Sequence, residues 1–159
     1  MIKKFLGVWV LLIAIPFMQA CEDKQAIAQK YFNEIEVPIE RQCYIAIATY
    51  MGREKLHLIP FMDSYMKDGF IHVTYRRVTD SEVFTNRCAI TFAEKNKVTY
   101  LVQWLDEETS KYSSGGKVIL NYKGNGEVSG ETEDYNHTYS YSQVWGKEKP
   151  NPLFFKDAT

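Results

Sequence analysis

The sequence contains no HExxH, no GxSxG, no glycine loop of the phosphate-cradling type and no CxxC pair. Each absence removes the local pattern by which a chemistry is recognised: zinc peptidase, nucleophile-elbow hydrolase, nucleotide binder or dithiol redox protein. An excess of one charge is also missing. The 19 Lys and Arg and 20 Asp and Glu residues leave a formal net charge of −1, and the two signs are mixed along the chain. The Tyr75-Arg76-Arg77 run is too short to act as a nucleic-acid footprint, so no nucleic-acid partner is expected. Histidine is scarce. His57, His72 and His137 each lack a second His or Cys three or four residues away, so no metal-ligand spacing arises and no cofactor is expected. Internal repeats and low-complexity segments are lacking as well.

What is present begins with "MIKKFLGVWVLLIAIPFMQA". Lys3 and Lys4 precede an apolar run from Phe5 to Ile15, Pro16 interrupts it, and the small residue Ala20 follows. Charge, grease and small residue in that order make an export signal over residues 1–20. A spanning helix needs about 20 apolar residues, and this run is shorter, so cleavage is the expectation. Residues 21–146 then form a single domain and residues 147–159 a tail. Residues 21–159 carry 17 basic and 20 acidic side chains, net −3, and are long enough for one real core.

Met18-Gln19-Ala20-Cys21 resembles the lipobox of bacterial lipoproteins, in which the cysteine thiol after a small residue receives the lipid. It departs from the usual pattern at Met18, where leucine is commoner, and at Gln19. The resemblance implies that Cys21 is the lipidated mature N-terminus and that the membrane is contacted through that lipid. Cleavage by the ordinary signal peptidase, with a soluble product, is the alternative. Cysteine parity favours the anchor. In an oxidising compartment thiols pair; with Cys21 lipidated, Cys43 and Cys88 form a disulfide and none is left over. The run "VTYRRVTDSEVFTNRC" is similar to segments of small uncharacterised exported bacterial proteins, which supports a hairpin there and implies no activity.

Apolar spacing organises the rest. "EDKQAIAQKYFNEI", residues 22–35, reads as a helix with Ala28, Tyr31, Phe32 and Ile35 on one face. A second helix follows Pro38, with Ile39, Cys43, Ala46, Ile47 and Tyr50 in one stripe and Gly52 just past its end. From Gly69 the period becomes two. Strands are expected in "FIHVTYRRV", in "VFTNRCAITF" with Phe84, Cys88, Ile90 and Phe92 sharing a face, in "KVTYLVQWL", in "KVILNY", weakly in "EVSGETE" and last in "NHTYSYSQVWG". "GNG" at 124–126 signals a hairpin. Short connections mean antiparallel pairing. The expected fold is α+β: an N-terminal helix or helix pair packed on a curled antiparallel sheet of five to six strands. Leu153, Phe154 and Phe155 would tuck the tail back.

One constellation stands out for binding. Tyr135, His137, Tyr139, Tyr141 and Trp145 follow a two-residue spacing, so a single strand would project them from one face. An exposed aromatic strip of this kind suits recognition of a protein or glycan partner in the envelope. The plainer reading makes it the strand's core face. The acidic runs "DEETS" and "ETED" read as solvated turns. The functional expectation is a non-catalytic, exported, lipid-anchored binding protein with an inhibitor, immunity or assembly role. The alternatives are a small-ligand carrier with a pocket lined by Tyr100, Trp104 and Tyr122, and a hydrolase whose residues form no recognisable motif.

Overall fold

The computed structural model describes residues 37–124 and 126–145. The expected signal segment, Cys21, the expected helix over 22–35 and the tail over 147–159 lie outside the described residues. The elements run in the order α1 (Ile39–Tyr50), a short 3-10 helix (Leu56–Leu58), β1 (Phe61–Lys67), β2 (Phe70–Arg76), β3 (Val83–Glu94), β4 (Lys97–Asp106), β5 (Lys111–Tyr112), β6 (Gly116–Tyr122), β7 (Glu127–Glu131), β8 (Asn136–Ser140) and α2 (Tyr141–Trp145).

The strands form one antiparallel sheet in the order β1-β2-β3-β4-β6-β7-β8, with the two-residue β5 paired to the end of β4. The class is α+β, as the spacing predicts, but the sheet has seven strands on its main path and eight in all. The sequence announces neither β5, only two residues long, nor β1. β1 lies at the sheet edge, and every residue in it except Phe61 and Ser64 is exposed. A strand with no buried face has no alternation to read.

α1 begins after Pro38, whose extended backbone (φ −61°, ψ 155°) feeds the first turn. It ends in a Schellman motif. Gly52 N–H donates to Thr49 O at 3.0 Å and Arg53 N–H to Ala48 O at 2.8 Å, with Gly52 at φ +64°. The helix is buried from Gln42 through Thr49 without a break. The expected single stripe is therefore corrected: the sheet curls far enough to bring β1–β4 and β6–β8 against α1, so its whole girth is core. Gly130 in β7 makes part of that closeness possible, because a Cβ there would meet the Thr49 side chain at 2.0 Å. The Cys43–Cys88 disulfide ties α1 to β3 with α-carbons 5.9 Å apart. The one buried polar side chain on α1 that faces the sheet centre is satisfied on both ends: Gln42 Nε2 donates to Val37 O at 2.8 Å, and its Oε1 accepts from the Tyr100 hydroxyl at 2.7 Å.

Two further expectations are corrected. β3 carries a bulge between Ile90 and Phe92. Ile90 stays opposite Tyr100 on the core side, but Phe92 pairs with Thr99 and is turned outward, 49% exposed. The last strand stops at Ser140. There Ser140 and Gln143 make a capping box: Gln143 N–H donates to Ser140 Oγ at 3.3 Å, and Ser140 N–H to Gln143 Oε1 at 2.7 Å. The reciprocal pair starts a helix where alternation alone continues the strand. Among the described residues no helix is long and apolar enough to cross a membrane.

Candidate functional site

The aromatic strip does not form one exposed face. Tyr139 is fully buried on the core side, and its hydroxyl donates to Arg53 O at 2.8 Å. Burial pushes that phenol up to about 12. Tyr135 precedes β8 and covers Gly52, where an added Cβ would lie 2.8 Å from its ring. His137 stands between these two rings, at 5.8 and 6.3 Å. Tyr141 and Trp145 open and close α2, so they leave the strand's periodicity altogether. Of residues 135, 137 and 139, Tyr139 alone is core, His137 is half-buried, and Tyr135 is 42% exposed over the C-terminal end of α1, so the strip is neither one exposed face nor one core face. Tyr100 and Tyr122 are core residues packed around α1, and Trp104 stacks on Tyr50 at 5.8 Å.

The outward side of the sheet holds a different assembly, one that depends on register. Tyr65 of β1 lies opposite His72 of β2, His72 opposite Arg87 of β3, and Arg87 opposite Gln103 of β4. Residues directly paired in adjacent strands share a face, so these four form a row across the convex surface. β5 then brings Tyr112 over the row, because Tyr112 pairs with the outward-facing Leu105.

The contacts along the row are specific. The Tyr65 and His72 rings stack with centroids 4.6 Å apart and planes 7° from parallel. Tyr112 meets His72 edge-on, and its hydroxyl lies 3.2 Å from His72 Nδ1. The Arg87 guanidinium carbon sits 3.9 Å from the Phe70 ring centroid and 3.7 Å from that of Tyr112, at cation–π distance from both. Arg87 Nε–H donates to Gln103 Oε1 at 2.9 Å, and Gln103 Nε2 donates to Ser113 O at 2.9 Å, which fastens the β5 segment to β4.

Electrostatics follow from this packing. His72 is only 4% exposed. Burial first, then the charges of Arg87 and Lys67, hold its pKa below the ordinary value, against a hydrogen bond with the Lys67 backbone and the charge of Asp68. The ring is therefore neutral at pH 7. The Tyr112 phenol is pushed up by burial and by Tyr65, against Arg87, and stays neutral. Arg87 is the fixed positive charge of the row, and no carboxylate among the described residues lies within ion-pair distance of it. Arg77 offers the contrast: Asp80 and Glu82 both pair with it, and the bond from Arg77 holds the Asp80 carboxyl below its usual range.

A groove of about 210 Å³ opens at the C-terminal end of α1 between Arg53, Lys55, Leu58 and the Arg77–Thr79 turn. Among the described residues no group of three or more His, Cys, Asp or Glu side chains is placed to hold a metal ion. The sequence pointed at none of Tyr65, Arg87, Gln103 or Tyr112, and His72 read as an ordinary half-buried strand residue. The available signal was strand register, which joins them although they are scattered over 48 positions. The chain matches no protein-family model, no curated protein and no solved structure, and its role has to be argued from the geometry just described.

Proposed function

We propose that the protein is an exported, lipid-anchored envelope protein of non-catalytic binding type, with an inhibitor, immunity or assembly role, and that it meets a protein partner through the convex row. The observation that carries the reading is the Arg87 guanidinium, locked against two rings and left without a carboxylate. A cation held in this way contributes little to the core. It is instead prepared for a contact from outside, and Arg and Tyr are the residue types that dominate protein interfaces. The convexity of the face favours a protein over a small ligand, whose sites are concave. Tyr65, 49% exposed, supplies apolar area beside it. The charged, apolar and small-residue sequence ending at Cys21 supports export and anchoring.

Two measurements test this. A Cys21→Ser variant leaves the membrane fraction and its N-terminal peptide loses the lipid mass; an unmodified or absent Cys21 in the mature wild type contradicts the anchor. Affinity capture from the native envelope, run in parallel with wild type, Tyr65→Ala and a control substitution at Lys55 in the groove, enriches a partner that the Tyr65 variant loses and the control keeps. A capture profile indifferent to Tyr65 contradicts the binding face.

A further inference from the structure

The Arg87 side chain is immobilised but not neutralised. The Phe70 and Tyr112 rings lie at cation–π distance from its guanidinium carbon, and Gln103 takes the Nε–H. Nη1 and Nη2 have no hydrogen-bond partner among the described residues, and they point their N–H groups from a position fixed by three strands and the β5 segment. With the Nε–H taken by Gln103, the two Nη groups remain to meet an acceptor, and their spacing matches the two oxygens of a carboxylate.

We propose that the Arg87 edge is the receptor for a carboxylate on the protein partner, supplied by an Asp or Glu side chain; this rests on the reading that the convex row is the binding face. One guanidinium matches one carboxylate in charge. A phosphate group carries more charge and calls for several cations or a nest of backbone N–H groups. The charged groups that act on His72 beside Arg87 do not form such a cluster. Lys67 adds one cation from the β1–β2 hairpin, Asp68 beside it opposes that charge, and His72 is neutral. The Tyr112 hydroxyl is engaged with His72 Nδ1. Because the side chain is already held, little of its rotamer freedom remains to be lost on binding.

The test uses the oxidised, mature protein, uniformly labelled with nitrogen-15, with the Arg87 Nε–H resonance as the reporter. The probes are N-acetylglutamate N-methylamide, its glutamine counterpart, glucuronate and inorganic phosphate. The glutamate probe is expected to shift the Arg87 resonance saturably, while the glutamine probe does not. Arg87→Gln abolishes the shift of the neighbouring Gln103 and Tyr112 signals, and Arg87→Lys, which keeps charge and stem, weakens binding about tenfold through loss of the two-pronged contact. No saturable shift, or equal affinity in Arg87→Lys, overturns the proposal. Phosphate binding more than about tenfold tighter overturns the carboxylate assignment, and glucuronate tighter by a similar factor overturns a protein partner in favour of an acidic glycan. The broader reading fails differently: the probe still binds Arg87 while envelope capture is unchanged by Tyr65→Ala.

Discussion

Tyr139 and Tyr65 are both strand tyrosines, and the fold gives them opposite duties. Tyr139 is inside the curl, its ring against α1 and its hydroxyl on the Arg53 carbonyl. Tyr65 lies on the outside with half its surface in water. Removing a core aromatic costs roughly 3–5 kcal/mol, whereas surface changes usually stay within about 0.5 kcal/mol. Urea unfolding is therefore expected to show a large drop for Tyr139→Ala and a small one for Tyr65→Ala; similar losses would contradict this division of the faces. His72 gives a pH signature. Its folded pKa lies below the ordinary value, so the unfolded chain takes up the proton first. Its contribution to stability is complete above about pH 6.5 and is lost as pH falls from there through the folded pKa. Wild type should lose stability across that window more steeply than His72→Gln, and an NMR titration of His72 should give a midpoint below the usual histidine value. A midpoint above it would contradict the burial described.

The elements show what can be read from one sequence and what cannot. α1 is legible because Pro38 and Gly52 bracket it and its apolar spacing is helical. β2, β4 and β6 are legible because each has one face on α1 and one outside, which imposes alternation. β1 is not, since only Phe61 and Ser64 are partly covered and the rest of the strand is exposed, which leaves no alternation to read. The bulge in β3 is not, since one extra residue leaves no mark in composition, yet it reverses Phe92. α2 was legible by another rule. The Ser140-Tyr141-Ser142-Gln143 capping box is written in the sequence, but the run of aromatics at spacing two overrides it in a reading by periodicity. Ser140→Ala removes the cap oxygen and should cost about 1 kcal/mol while fraying residues 141–145, read as faster amide exchange there. Unchanged exchange would contradict the capping role. The convex row was hidden for a physical reason: its members are neighbours only through pairing between strands, and outward positions otherwise read as solvated.

At the scale of the whole molecule, a sheet curled round one helix makes a closed core with a large outer surface. The disulfide joins the two parts across a sequence separation of 45. By its effect on the unfolded chain, a loop of that size contributes roughly 4 kcal/mol, a large share of the roughly 5–15 kcal/mol typical of a domain. Non-reduced intact-mass analysis should find neither Cys43 nor Cys88 open to alkylation, and reduction should lower the urea midpoint by a corresponding amount; two alkylatable thiols in the native protein would contradict the bridge. On α1 the buried Gln42 is satisfied at both ends, and outside the core Arg87 pairs with no carboxylate among the described residues. The central claim is that this outer row, and not the aromatic residues of β8 or the groove at the end of α1, meets the partner. The most direct measurement is site-specific photo-crosslinking in the native cell envelope, with a photoreactive phenylalanine analogue placed in turn at Tyr65, at the neighbouring exposed Lys67 and at Lys55. The account predicts one discrete crosslinked species from positions 65 and 67, lost when Arg87→Gln is added, and none from position 55. A species from position 55 alone, or the same pattern with and without Arg87, would contradict it.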